Sequence, residues 1–417
     1  MELAELFLLE NLIWEFAERR LSGKYIQQYK PFPLPSEDAR LFNAFDVSII
    51  IPTVGWDPAS FSRALISMLV NRPLEIIIVT INSERQQATD FLASARIRAA
   101  NTGTAITVLS IPRPNKRDQI VQGIRESIGT IIALADDDVL WNPHTLQHLL
   151  APFQLSDVGL VSGPIESYLP EDRQDASVIT SYEVAALRNR SKRRGGNKAF
   201  FVRDGSTNFT VSGATMLLRA AVVQDPEFQN AFTRETFAGV RQNSGDDAFI
   251  TRWVLFQHLR KDRQGVRKWR LGMQLTPEAA VSTTLMTDSK FVSQMKRWLR
   301  TGLRFRLTCI FRDPGLRNFW RTTPYMCRKM VEGLYNPLFN IIWYVAFFLT
   351  LRRRPIMALL IALYYSRRKI WAAIIADKIS LFSDFYCWAT LASESWTSRQ
   401  GVDDVGKGEG VAQGTIN

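Results

Sequence analysis

The 417-residue chain is poor in the residues from which metal knots and disulfide frameworks are built, holding only three cysteines, Cys309, Cys327 and Cys387, and three histidines. The cysteines are too widely spaced for a Cys-x-x-Cys zinc site and odd in number, so they read as reduced thiols in a cytosol-facing or membrane setting. His144 and His148 stand four apart, but the His-Glu-x-x-His pattern is absent and no third ligand follows nearby, so they read as helix-surface residues. A basic leader is missing too. The chain opens Met-Glu-Leu-Ala-Glu, and Leu6–Phe16 is interrupted by Glu10, Asn11 and Glu15, which argues against a secretory signal and for an interfacial amphipathic helix. Acidic residues are outnumbered, 40 against 52 basic, and the formal net charge of +12 favours an anionic partner: nucleic acid, an acidic membrane surface or a phosphorylated substrate. Because the arginines flank apolar spans instead of lining one folded face, nucleic acid is the partner the pattern argues against.

What is present begins with apolar residues at helical spacing over Leu3–Leu21, followed by a connector carrying Pro31, Pro33 and Pro35. From Phe45 the text alternates. Val47–Ile51 is an apolar run stopped by Pro52, Ser60–Val70 is helix-like, Leu74–Ile81 is β-branched, Ala105–Ile111 reads as a strand and Asp118–Ser127 as a helix. Thr130–Ala135 then runs directly into Asp136-Asp137-Asp138. Strands apolar on both faces predict a buried parallel-rich sheet flanked by helices, an α/β architecture in which ligands sit at the carboxyl ends of strands. Tyr182–Asp204 turns basic around Gly195-Gly196. Tyr335–Leu351 is an almost uncharged run of about the length that crosses a hydrocarbon core, and Arg352-Arg353-Arg354 ends it. Were the catalytic domain cytosolic, that triplet would lie on the wrong side for the positive-inside tendency, a conflict that a re-entrant hairpin through Pro355 removes. Pro355–Ser366 is short for a span, Ile370–Ala392 contains Asp377, Lys378 and Asp384, and the tail is rich in glycine and polar residues. The expected organisation is a helix and linker over 1–44, a catalytic domain over 45–290, interface helices over 291–333, a transmembrane or re-entrant region over 334–395 and a disordered tail over 396–417.

Three groups carry chemistry. Asp136 and Asp138 are alternate residues at a strand end, and three successive aspartates repel one another without a cation, so this pair predicts a Mg²⁺ or Mn²⁺ site. Such a cation neutralises charge building on a departing diphosphate. Ser244-Gly245-Asp246-Asp247 places a carboxylate pair at the start of a helix over Ala248–Leu259, and Asp247 is the candidate base for an acceptor hydroxyl, with a plain helix cap as the alternative. Gln294, Arg297 and Trp298 fall at i, i+3 and i+4, which puts a hydrogen-bonding amide, a diphosphate-binding guanidinium and a sugar-stacking ring on one helix face.

A strand-end Asp-x-Asp, then Gly-Asp-Asp, then Gln-x-x-Arg-Trp, in that order over roughly Val47 to Arg399, resembles the processive family 2 glycosyltransferases, which include hyaluronan, cellulose and chitin synthases. The fungal capsule-polysaccharide-synthase-like branch is the nearest in pattern. The resemblance implies a GT-A-type, Rossmann-like catalytic domain with C-terminal membrane helices, and inverting transfer from a UDP-sugar to a growing saccharide. It implies that Asp136 and Asp138 hold the metal and the donor, that Asp247 is the base, and that Gln294, Arg297 and Trp298 bind the acceptor end and diphosphate. Lys116-Arg117 resembles the family's donor-phosphate pair, Ser212-Gly213 its acceptor-side loop, and Trp396-Thr-Ser-Arg399 its Trp-x-x-Arg. An integral membrane protein of the plasma or Golgi/secretory membrane follows, with the catalytic domain cytosolic and a lipid bilayer as partner. Two departures stand out: Thr80-Ile81-Asn82 ends a strand where relatives place an aspartate contacting the uridine, and relatives begin with transmembrane helices. A single-sugar transferase to a lipid acceptor, like a ceramide glucosyltransferase, would carry the same motifs, and a catalytically degenerate relative would carry most of them.

Overall fold

The structure, a computed structural model, describes residues 2–168, 196–263, 265–284, 289–366 and 381–393. Most of the basic stretch Tyr182–Asp204, the first part of the apolar stretch Ile370–Ala392 and the Trp396–Arg399 motif lie outside them. The described residues within Met1–Lys30, Leu169–Phe209 and Leu285–Leu391 form one compact unit, and those within Pro31–Tyr168, Thr210–Thr284 and Ala392–Asn417 form the other. Residues 196–209 therefore leave the contiguous 45–290 domain expected from the sequence and group with the helical unit.

The first unit contains the N-terminal helix α1 (Leu3–Gln28), longer than the apolar pattern suggested. The second unit is built on a sheet whose strands are, in chain order, β1 (Val47–Pro52), β2 (Glu75–Ile81), β3 (Ala105–Ile111) and β4 (Ile131–Ala135). A short strand β5 (Val139–Trp141) leaves it, and β6 (Val158–Ser162), β7 (Ile165–Tyr168) and β8 (Thr215–Arg219) follow. A small hairpin, β9 (Thr236–Phe237) with β10 (Val240–Arg241), precedes β11 (Arg270–Met273) and β12 (Val281–Thr284). The main sheet has seven strands in the order β11-β6-β8-β4-β1-β2-β3, parallel throughout except that β8 runs against both β4 and β6. A second, three-stranded sheet is ordered β5-β12-β7. Every residue of β1, β2 and β4 is buried, as the two-faced apolar runs predicted, whereas β3 at the edge is only partly covered.

Helices on the sheet begin where local chemistry permits. Asp57 caps α2 (Pro58–Leu69) through the Ser60 amide, with Pro58 at the first helical position. Asn115 caps α3 (Lys116–Glu126) by accepting from the amides of Arg117 and Asp118, so this helix starts two residues earlier than periodicity alone indicated. Gln119, buried on α3, donates to the carbonyls of Thr53 and Val79 at 3.0 and 2.7 Å and so fixes α3 against the carboxyl ends of β1 and β2. Two further helices of this unit bear on the site, α4 (Pro226–Arg234) and α5 (Asp246–Phe256).

The first unit is helical. It holds α6 (Ser289–Phe311), α7 (Pro324–Arg353) and α8 (Pro355–Ser366) beside α1. At 1.5 Å per residue α7 is about 45 Å long, and by length and composition it is long and apolar enough to cross a membrane. Leu338, Ile342, Val345 and Leu349 form an exposed stripe along it. Leu8, Ala346 and Ile361 join α1, α7 and α8 in a small apolar cluster. The arginines ending α7 do not stand alone: Arg353 pairs with Glu2, and Arg354 with Glu5 at 2.9 Å. Near the start of α7, Glu18 pairs with Arg328 at 2.7 Å and Lys329 at 2.5 Å. Asp204, whose pKa burial pushes up against its hydrogen bonds, accepts from the amides of Tyr325 and Met326 at 2.8 and 3.2 Å and caps α7 from a distant part of the chain.

Candidate active site

The carboxyl ends of β1, β2 and β4 lie side by side because these strands are parallel and adjacent. β4 delivers Asp136, Asp137 and Asp138 to that edge. Asp137 is buried and accepts from the Thr53 hydroxyl just after β1, so the middle aspartate is a structural tie while Asp136 and Asp138 are half-exposed. Since β8 is antiparallel to β4, its first residue Thr215 pairs with Ala135 and the Asp136 amide donates to the Ala214 carbonyl at 3.1 Å. The register therefore brings Ser212-Gly213 beside the aspartates.

α5 supplies the second carboxylate pair. Gly245 precedes it with φ of +70°, a left-handed conformation that a Cβ would strain, and the turn directs Asp246 inward and leaves Asp247 half-exposed. Gly213 has no side chain where one would meet its neighbours: a Cβ there would stand 3.3 Å from the Asp247 Cβ and 3.7 Å from the Asp246 Oδ2. The acceptor-side glycine and the candidate base thus pack against each other.

Lys116 joins these groups. Its Nζ lies 2.9 Å from the Asp136 Oδ1 and 3.1 Å from the Asp246 Oδ2, and its backbone amide donates to the Asn243 Oδ1 at 2.9 Å. Burial opposes the lysine's charge, but the two carboxylates outweigh it and raise its pKa; in return Asp246, also penalised by burial, is held below the ordinary carboxylate range by Lys116. Arg117 behaves differently from its neighbour. It is 1% exposed, and its guanidinium faces the protein interior. Nη1 donates to the Phe232 carbonyl at 2.9 Å, and Nη2 to the Ser244 carbonyl at 2.9 Å and to Glu235 at 2.8 Å. Glu235 also pairs with Arg252 on α5. Burial raises the Glu235 pKa, but Arg252 and Arg117 more than offset it and hold the group at about 2.

The pair Asp136 and Asp138 can be weighed against the metal that the sequence suggests. Among the described residues no three His, Cys, Asp or Glu side chains gather as a cage. Two half-exposed carboxylates at an open strand edge fit a hard cation that keeps most of its coordination for phosphate oxygens and water, as Mg²⁺ and Mn²⁺ do. Gln294, Arg297 and Trp298 all lie on α6, half-buried, so the helical spacing that put them on one face holds.

Glu235 and Arg252 were not singled out in the sequence. Arg252 did leave a signal, as the single charge inside Ala248-Phe-Ile-Thr-Arg-Trp-Val-Leu-Phe256, a helix buried almost all round, where a lone guanidinium demands a partner. Glu235 left none. At the end of β2, Thr80 donates to Glu84 at 2.9 Å and the Gly55 amide donates to the same carboxylate at 2.9 Å, so a carboxylate does stand near the strand end that lacks the relatives' aspartate.

A mixed, parallel-rich sheet with paired acids at adjacent strand and helix ends defines a GT-A fold. Residues 45–301, more than half of the chain, match the family described as glycosyltransferase like family 2, and the chain belongs to that family of enzymes. It is 30% identical over 408 residues to the NDP-glycosyltransferase ltbB of Aspergillus luteorubrus, covering 93% of this chain and 96% of that one. It is 33% identical over 302 residues to a type 2 glycosyltransferase of Zymoseptoria tritici, covering 72% of this chain and 58% of the relative, so it spans little more than half of that protein. Its fold is similar to that of the mannosyltransferase PcManGT from Pyrobaculum calidifontis, solved in complex with GDP-Man and Mn²⁺. That match has a TM-score of 0.59 at 14% identity and covers 92% of this chain and 98% of the other.

Proposed function

We propose that this glycosyltransferase moves a sugar, with inversion, from a UDP-sugar to a growing saccharide at a membrane, in a reaction that depends on Mg²⁺ or Mn²⁺. The observation that carries the reading is the Lys116 ammonium shared between Asp136 and Asp246, because it gathers the donor-side and base-side carboxylates around one charge. Asp136 and Asp138 would hold the cation, which when bound neutralises the leaving diphosphate. Lys116 adds a fixed positive charge beside Asp136. Asp247 accepts the proton of the acceptor hydroxyl, and Gly213, pressed on it, leaves room for that hydroxyl to approach. Gln294, Arg297 and Trp298 are assigned to the acceptor end and the diphosphate by their likeness to the family motif. The exposed stripe of α7 supports membrane insertion, and sedimentation after carbonate washing tests it; the cytosolic side is assigned to the catalytic domain by its likeness to the family alone.

A second reading, addition of a single sugar to a lipid acceptor, is favoured by the same apolar surface of α7 and α8, which suits an acceptor hydroxyl presented from a bilayer. Membranes carrying the full chain, supplied in turn with labelled nucleotide sugars and Mn²⁺ or Mg²⁺, should consume one donor and lose that activity to EDTA. Polymeric product selects the first reading and a single-sugar lipid the second. Consumption of none of the donors would reject both.

A further inference from the structure

The adjacent residues Lys116 and Arg117 open α3, yet their side chains do different things. The ammonium of Lys116 reaches the half-exposed Asp136 and the buried Asp246, whereas the side chain of Arg117 is the largest fully buried one among the described residues. A buried guanidinium needs acceptors for its rigid fork of donors, and here both terminal nitrogens find them while Nε has none among the described residues. Its partners are backbone carbonyls and one carboxylate: Phe232 near the end of α4, Ser244 and, at 3.4 Å, Gly245 in the turn before α5, and Glu235 between them in sequence. Glu235 is in turn gripped by Arg252, six residues beyond Asp246 on the same helix. The rings of Phe232 and Phe249 lie 5.1 and 5.6 Å from the Arg117 guanidinium and wall the bridge from water.

The turn that receives these bonds is the one that aims the acids. It has a left-handed residue at Gly245, and its carbonyls at 244 and 245 are held by Arg117 while Asn243 is held by the Lys116 amide. Arg252 anchors the helix downstream of it. We infer that the buried bridge Arg117–Glu235–Arg252 is a positioning network, which fixes the Ser244–Asp247 turn so that Asp247 meets the acceptor hydroxyl, and that Arg117 is not itself a ligand of the donor diphosphate. This rests on the proposal that Asp247 is the base. A lysine at 117 keeps the charge, but its single ammonium cannot serve two carbonyls and a carboxylate in one plane. A glutamine at 235 keeps the shape and removes the one carboxylate charge that the two buried guanidiniums share.

The test uses the full chain in detergent, with Arg117→Lys, Glu235→Gln, Asp247→Asn and the double variant Arg117→Lys/Asp247→Asn. Affinity for the nucleotide is measured by titration, and transfer is measured at saturating donor and acceptor. Since a displacement of about 1 Å can cost about 100-fold in rate, both network variants should lower kcat by roughly 10- to 100-fold with nucleotide affinity nearly unchanged. The double variant should be no slower than Asp247→Asn alone, because the network acts only through the base. Tenfold weaker nucleotide binding by Arg117→Lys with kcat retained would overturn the inference in favour of a diphosphate ligand, and kcat within twofold of wild type for both network variants would overturn it outright. If Arg117→Lys fails to fold, Glu235→Gln decides; loss of the wild-type melting transition by both would make the bridge a folding element and also overturn it. Failure of the base assignment looks different: Asp247→Asn would transfer normally while the network variants remained slow, which keeps the bridge as a device that positions the turn and removes Asp247 from the mechanism.

Discussion

Replacing Lys116 by methionine removes one charge and keeps the volume of the stem, so its consequence can be worked from distances. The Asp136 and Asp246 oxygens both lie within hydrogen-bonding range of the same nitrogen and are therefore no more than about 6 Å apart. Two carboxylates at that separation repel by about 3 kcal/mol at an effective dielectric constant of about 20. Asp136 is 35% exposed, so solvent screening reduces the repulsion to about 2 kcal/mol. That corresponds to a melting temperature lower by roughly 4–8 °C for a unit of this size. The sign with pH follows from the shifts. In the wild type Lys116 outweighs burial and depresses Asp246, so its contribution is present above the ordinary carboxylate range and is lost as pH falls through the depressed value. In Lys116→Met one carboxylate is raised instead, and its penalty vanishes as it takes up a proton. The difference between the two proteins should therefore be largest near pH 7 and shrink toward pH 4, read from thermal melts of both proteins across that interval. Equal melting temperatures at pH 7, or a gap that does not change with pH, would refute the shared-ammonium reasoning.

Gly213→Val should place branched carbons against Asp247, whose Cβ is already 3.3 Å from the position of the first added atom; transfer should fall by roughly 10- to 100-fold with nucleotide affinity retained in the same titration. Asp138→Asn should abolish the metal-dependent part of the reaction, because an amide lacks the charge that holds the cation against the diphosphate, and a Mn²⁺ titration of activity would show no recovery. Asp204→Ala should uncap α7 by removing the acceptor of the Tyr325 and Met326 amides, at a cost of about 1 kcal/mol, seen as a melting temperature a few degrees lower without loss of nucleotide binding.

Elements were legible in the sequence where burial is uniform along the chain. β1, β2 and β4 announced themselves as apolar runs because both of their faces are covered, and β4 ended on its aspartates because at a strand end Asp136 and Asp138 can reach solvent while Asp137 finds the Thr53 hydroxyl. The helix face of Gln294, Arg297 and Trp298 was legible from spacing alone. Spacing could not reveal that Arg117 turns inward, since its partners at 232, 235 and 244 are more than a hundred residues away, and no local rule distinguishes a lysine that reaches an aspartate from an arginine that reaches a carbonyl. The antiparallel β8, five residues long, carried too little pattern to be seen, although its direction is what sets Ser212-Gly213 beside the aspartates that end β4. The grouping of residues 196–209 with the helical unit likewise depends on contacts such as Phe209 with Phe305 and Asp204 with the start of α7.

The proposed mechanism has Asp247 take the acceptor proton while the groups around Asp136 hold the donor. It is tested most directly by measuring nucleotide affinity and sugar transfer side by side for wild type and Asp247→Asn, in the same membrane preparation and at saturating Mn²⁺. General-base catalysis contributes about 10²–10⁴ in rate, so the variant should bind nucleotide as the wild type does and transfer at least about 100-fold more slowly. Transfer at the wild-type rate, or loss of nucleotide binding equal to the loss of transfer, would contradict the account.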